Sequence, residues 1–378
     1  MRIAIDGKCL VSPSAGVARY LEGLLAAIRA LSPEECALDV LQPATATGTL
    51  RWTLVDLQRA SGRGCDLLHL PFYYGPLWPR CPVTVAIHDI LPITHPEWFP
   101  ASWRSPIRWL TPRTARRTAA VVTFSHATAA LIRDELHVAP GCIEVIPHGV
   151  DPVAFAPPSP STMERVRSRF GLQRPFLLQV GAIEPRRGTD LAIAATRAVR
   201  ESFPDLELVV IGAIRAAVPA LESAPSWVRR IGRVDDRDLP SLYAGAAVVI
   251  APSRGEGFDL PVLEALACGA AVVASDIDVH VEHFAPAVEF FESGSAKALA
   301  DAIRRVLGDG VRTEQLRRTG IQHAARFRWE DSARAHLQLW RDVAAIGGSP
   351  LSSRPTMKSA SRTDEVSLDC EHPHRSSH

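Results

Sequence analysis

APSRGEGFDLPVLEALACGAAVVASD, residues 251–276, sets two glutamates eight apart, Glu256 and Glu264, around a turn of Gly257, Phe258, Asp259, Leu260 and Pro261. The second glutamate lies in an apolar run that reads as a helix. A helix entered from such a turn offers free backbone amides and the positive end of its dipole, both suited to a phosphate group. Carboxylates on either side of that phosphate can accept hydrogen bonds from sugar hydroxyls. A nucleotide sugar has this layout: a hexose, a diphosphate and a ribose.

Outward from this stretch, short apolar runs alternate with helical patterns in both halves of the chain. Strands are predicted at 2–6, 66–70, 83–88, 120–124 and 143–146, and again at 176–180, 206–211, 248–251 and 271–274. Helices are predicted at 17–30, 190–201, 239–244, 261–267, 296–307 and 329–343, with a short one at 165–170. Continuous apolar strands alternating with helices argue for parallel sheets covered on both faces. Four prolines within 152–160 make a linker between two similar series. Two facing Rossmann-like α/β domains are expected, with ligands at the carboxyl ends of the strands.

Composition narrows the class. At 378 residues with 47% apolar content, the chain supports two domains with sizeable cores. A net charge of +1 names no partner, and with no RNA-binding signature it argues against nucleic acid. No apolar run is long enough to span a membrane, and the start MRIAIDGKCL reads as a buried strand rather than a signal peptide. Seven scattered cysteines without a C-x-x-C pair suggest reduced thiols in a cytoplasmic protein, not a disulfide framework or zinc site. Lysine is nearly absent, only Lys8, Lys297 and Lys358 occurring, which points to a compositional bias toward arginine.

Five collinear stretches resemble glycosyltransferase family 4, whose members are retaining enzymes of the GT-B fold. They are IAIDGKCL…AGVARYLEGLL, VAIHDILPITHPEWFP, VVTFSHATAALIRDEL…IEVIPHGVD, LQVGAIEPRRGTDLAIAA, and IGRVDDRDLPSLYAGAAVVIAPSRGEGFDLPVLEALACG. Together they span roughly residues 2–343, and they resemble most the bacterial transferases that use GDP-mannose or a related donor to build polysaccharides. The resemblance implies an acceptor-side domain over 1–155, a linker over 156–170 and a nucleotide-sugar-binding domain over 171–328. It further implies a helix over 329–345 that returns to the first domain. Residues 346–378, rich in Ser, Arg, Pro and His, are expected to be disordered.

The resemblance also assigns roles. His88 is set beside the transferred sugar, with Asp89 either orienting its ring or capping the next turn. Glu256 is assigned to the donor hexose and Glu264 to the ribose. Glu264 sits among Leu263, Ala265, Leu266 and Ala267, so a ligand or a buried partner must satisfy it. Gly16 permits a positive φ and a close approach to phosphate, and Gly181 belongs to the loop before Arg186 and Arg187. Those two cations can neutralise a leaving diphosphate. Arg187 stands where the family usually has lysine, a change that is not automatically neutral.

Asp259 is the main departure, since the family usually has glycine there. It brings a negative charge to the expected anion site, and one opposed pair at about 4 Å costs roughly 4 kcal/mol at an effective dielectric of 20. Asp259 can also cap the following helix and occupy its amides, point away, or be offset by the arginines. Span 98–133 holds six arginines, no acidic residue and the aromatics Trp98, Phe99, Trp103 and Trp109. That face is expected either to rest on an anionic membrane carrying a lipid-linked acceptor or to be an ordinary surface. His280, Glu282 and His283 suggest a metal trio, but the resemblance sets the acid near the donor, and neither they nor His372, His374 and His378 make a metal site. No cofactor is expected.

The expected activity is retaining transfer of a hexose, mannose foremost, from a GDP- or UDP-sugar to a glycan or lipid-linked acceptor. No motif residue is an obvious nucleophile for double displacement, so front-face departure is expected, with the diphosphate helping to deprotonate the acceptor. The rival readings are a non-catalytic sugar-nucleotide-binding protein and a nucleotide-sugar epimerase of the same fold.

Overall fold

Runs of Ile, Val, Leu and Ala without polar alternation form the central strands of two parallel sheets in the computed structural model, which describes residues 1–11, 15–31, 36–43, 49–61 and 64–347. The expected tail beyond residue 347, with its three histidines, lies outside the described residues. Strands β1 (Arg2–Asp6), β2 (Ala37–Leu41), β3 (Leu67–Leu70), β4 (Val83–Ala86), β5 (Ala120–Thr123) and β6 (Ile143–Val145) lie in the order β2-β1-β3-β4-β5-β6. Strands β7 (Phe176–Val180), β8 (Glu207–Ile211), β9 (Val228–Gly232), β10 (Val248–Ala251), β11 (Val272–Ser275) and β12 (Glu289–Phe291) lie in the order β12-β11-β10-β7-β8-β9. The fold is GT-B: two parallel α/β sheets, each with helices packed on it. Three strands were not predicted, β2, β9 and β12. Each is an edge strand with half-buried residues, so it lacks the continuous apolar run that marks a central strand.

The helices of seven or more residues follow the strands. They are α1 (Ala15–Leu31), α2 (Ala101–Ala115), α3 (His126–Leu136), α4 (Pro160–Arg169), α5 (Thr189–Val199), α6 (Leu239–Gly245), α7 (Leu260–Ala267), α8 (Asp278–Phe284), α9 (Ala296–Gly308), α10 (Gly310–Ala324) and α11 (Trp329–Ala345). The expected linker over 156–170 is largely α4. Ser159 caps it by accepting from the Thr162 amide, Pro160 occupies the first turn, and the helix packs against α6 beside the second sheet. The chain leaves the first sheet and returns to it at one place, where the Val150 amide donates to the Phe327 carbonyl (3.0 Å). From there α11 runs along α1 and buries Trp340, Leu337 and Val343.

Parallel sheets bind ligands where the strand order reverses, because the connections on the two sides diverge and leave a crevice. Such points lie between β1 and β3 in the first sheet and between β7 and β10 in the second. No helix among the described residues is long and apolar enough to cross a membrane.

Candidate active site

The crevice between β7 and β10 receives the two segments that carry most of the expected site. After β7, Gly181 adopts φ 138°, and a Cβ there would press on the Arg187 guanidinium at 3.2 Å, so glycine lets that side chain lie across the strand end. The turn Pro185–Arg187 then presents both arginines to the segment after β10. Arg186 Nη1 donates to Glu256 Oε2 at 2.6 Å and to the Gly255 carbonyl at 3.1 Å. Arg187 Nη1 lies 2.9 Å from Glu256 Oε1 and 2.8 Å from Asp259 Oδ1. Ser253 Oγ donates to Glu256 Oε1 at 2.8 Å. Glu184 adds a third carboxylate, 2.6 Å from Arg186 Nε at an angle unlike that of a hydrogen bond.

Asp259 does not cap α7 with its side chain, contrary to one expectation. Its carboxylate is instead turned onto Arg187 and onto His280 Nε2 (3.1 Å). Its backbone sits at φ 79°, ψ 68°, a left-handed conformation that disfavours every residue with a Cβ. Burial would raise this carboxyl, but Arg187 and His280 outweigh it and hold the group well below the usual range. The arginines do offset the added charge, and in doing so Arg187 is taken up.

Across the cleft, His88 follows β4. Its Nε2 donates to the Pro71 carbonyl at 3.0 Å, which leaves Nδ1 as the acceptor of the neutral ring. Burial pulls its pKa down to about 4, against the opposing pull of that carbonyl. Asp89 does not touch the ring. Oδ1 accepts from the Leu91 amide (3.0 Å) and from the Tyr73 hydroxyl (2.7 Å), so the turn-capping alternative is the one seen. Tyr73 itself is held at φ 33°. The two halves meet at Gly257, where any Cβ would overlap the His88 carbonyl oxygen.

Glu264 is satisfied by buried partners. Arg19 of α1 donates to Oε1 and also pairs with Asp236 (2.6 Å), while the Tyr243 hydroxyl donates to Oε2 (3.0 Å). Burial pushes the Glu264 carboxyl up, and Arg19 opposes it. Gly16 corrects an expectation: it is the second residue of α1, has no positive φ, and a Cβ there would meet open space. Phe258 and Leu260 are buried in the core, Phe258 against the His148 and His283 rings, so only their backbone is available to a ligand.

Glu282 is also corrected. Instead of facing the donor crevice, its carboxylate accepts from the His126 and Ala127 amides (2.7 and 2.9 Å), capping α3 from the other half of the molecule. Of the aromatics expected on the 98–133 face, Phe99 is buried, Trp98 stacks on His95, and Trp109 is 61% exposed beneath Arg113, while the Trp103 side chain lies outside what the structure describes. Sequence reasoning missed Arg19, Tyr73, Glu184, Tyr243, Ser253 and the role of His280. Arg19 had no local signal: it shares the polar face of α1 with Glu22, opposite the buried Tyr20, Leu21, Leu24 and Ile28, and is covered only where the second half of the molecule meets it. Tyr73 had none either.

The family described as Glycosyl transferases group 1 matches residues 160–323, and Glycosyltransferase Family 4 matches residues 38–153. A D-inositol 3-phosphate glycosyltransferase of Acidothermus cellulolyticus is 32% identical over 248 residues, 60% of this chain and 53% of that protein. A phosphatidyl-myo-inositol mannosyltransferase of Mycobacterium leprae is 32% identical over 177 residues, 43% of this chain and 45% of that protein. The chain spans about half the length of the curated relatives it matches. Among solved structures, the Anabaena protein HepE in complex with UDP-glucose superposes with a TM-score of 0.73 at 18% identity, over 90% of this chain and all of that one.

Proposed function

We propose that this chain, which belongs to glycosyltransferase family 4, transfers a hexose, mannose foremost, from a nucleotide-sugar donor to a glycan or lipid-linked acceptor with retention. The observation that carries the reading is the convergence of Glu256, Arg186 and Arg187 at the carboxyl ends of β7 and β10 with His88 at the end of β4, the halves touching at Gly257. In this reading the two guanidiniums take the charge that grows on the diphosphate as the glycosidic bond breaks. Glu256 orients the donor hexose, and the Nδ1 acceptor of His88 takes a sugar hydroxyl. Glu264 reaches the ribose once Arg19 gives way. Arg108, Trp109 and Arg113 form an exposed face suited to an anionic, cytoplasmic membrane surface bearing the acceptor.

A second reading has an observation of its own. Arg187 is engaged by Asp259, where a diphosphate would need it, which favours a protein that binds sugar nucleotides without turning them over. Titration with GDP and UDP, with donor hydrolysis followed in parallel, separates the two. Micromolar nucleotide binding with turnover of a GDP- or UDP-hexose is expected. Binding without turnover of any donor supports the second reading, and absence of both overturns the nucleotide-sugar assignment.

A further inference from the structure

We propose that Cys65 and Cys81 are a redox modification site, closing to a reversible intramolecular disulfide at the amino-terminal edge of the first sheet. Their sulfurs are 2.9 Å apart, though the residues are sixteen positions apart in sequence. A bond needs them to approach to about 2.05 Å. The approach is set by the backbone. Cys65 lies two residues before β3 and Cys81 two before β4, and these neighbouring strands pair Leu68 with Val83. The Leu68 amide donates to the Pro82 carbonyl at 2.8 Å, so the two lead-in segments run side by side. Both sulfurs turn toward one acceptor, the Ser61 carbonyl, at 2.8 Å from Cys65 and 3.8 Å from Cys81.

Among the cysteines of the described residues, access also singles out the pair. Both cysteines are half-buried, whereas Cys9, Cys36, Cys142 and Cys268 are buried. Burial and the neighbouring thiol push the Cys81 thiol up, so Cys81 by itself reacts slowly with electrophiles. Proximity makes the second step intramolecular and favours ring closure over capping of each thiol.

With a small disulfide as oxidant the step balances. One protein thiolate attacks the small disulfide and expels one small thiolate, leaving a mixed disulfide. The second protein thiol loses its proton to solvent, attacks the protein sulfur and expels the second small thiolate. Two protein thiols are oxidised and one small disulfide is reduced to two thiols. The bond closes the unit of β3, its following loop and the lead-in to β4. That loop carries the Pro71 carbonyl that holds His88 and the Tyr73 hydroxyl that holds Asp89.

The test uses the full chain exposed to oxidised glutathione, followed by alkylation of free thiols, proteolysis and mass spectrometry. The expected result is a Cys65–Cys81 linked peptide pair that dithiothreitol reverses, formed at a rate independent of protein concentration. Tm should rise in the oxidised form and stay unchanged in Cys65→Ser after the same treatment. Recovery of both cysteines alkylated as in untreated protein, or each carrying its own glutathione, overturns the proposal.

Discussion

Asp259 combines two opposing local terms. The left-handed backbone costs about 1–2 kcal/mol for a residue with a Cβ. The buried carboxylate holds Arg187 and His280, and deleting one member of a buried ionic cluster costs about 3–5 kcal/mol when the remainder is left unpaired. Glu256 still pairs with Arg187, so the loss in Asp259→Gly is expected nearer 1–3 kcal/mol net of the relieved strain. The freed guanidinium should then favour a nucleoside diphosphate. Asp259→Gly is thus expected to melt lower than the parent without ligand, yet to bind GDP or UDP more tightly. Because the Asp259 side chain is only 1% exposed, the gain should change little between low and high salt. Calorimetric titration at two salt concentrations checks this, and unchanged or weaker affinity would mean that Asp259 contacts the ligand itself. In Arg187→Ala, by contrast, turnover should fall by about 10²–10³ while the KM for donor rises much less, since leaving-group charge develops in the transition state. Equal effects on kcat and KM would demote Arg187 to ground-state binding.

Helix α11 is held to the first sheet by a polar chain whose proton positions follow from its ends. His336 Nδ1 faces the Ser332 carbonyl at 2.8 Å and so carries hydrogen, which makes Nε2 an acceptor. The Tyr20 hydroxyl therefore donates to His336 Nε2 (3.0 Å) and accepts from His69 Nε2 (3.0 Å). His69 Nδ1 in turn accepts from Thr84 Oγ1 at 2.9 Å. This chain ties α1, β3 and β4 to a helix more than two hundred and forty positions away from each. Tyr20→Phe keeps the packing but leaves a buried donor on His69 and a buried acceptor on His336, a loss of roughly 2–4 kcal/mol. Denaturant unfolding measures it; a change under about 1 kcal/mol would show that the hydroxyl is not shared in this way.

Buried imidazoles set how the whole molecule responds to acid. Burial holds His69 and His148 well below the ordinary histidine value, and His88, His283 and His336 down to about 4. Between pH 6.5 and 4 the unfolded chain binds protons that the native state refuses. The stabilisation from these groups is therefore complete above about pH 6.5 and is lost as pH falls toward 4. Each histidine contributes a slope of up to roughly 1.4 kcal/mol per pH unit in that window, so several together become comparable with the usual stability of a domain. Tm should be flat above pH 7 and drop steeply between pH 6 and 5. A flat profile down to pH 5 would mean that the rings are solvated or paired with acids.

Local sequence carries the pattern of central strands, the presence of two parallel sheets and the residues that follow their strands. Apolar continuity and turn chemistry are local properties, legible within a few residues, and they suffice to set His88, Arg186, Arg187 and Glu256 after strands. Three of the four edge strands, β2, β9 and β12, escaped because half of their surface is wet; β6, the fourth, was legible from its short apolar run. Which group satisfies each buried charge depends instead on long-range packing. Glu264 is paired by Arg19, 245 positions away, Asp89 by Tyr73 through a strained loop, and α3 is capped by Glu282, 156 positions from His126. Nothing in local periodicity encodes such partners. They are fixed by how two separately formed sheets come to face each other, where a buried charge must take whichever group the packing brings within reach.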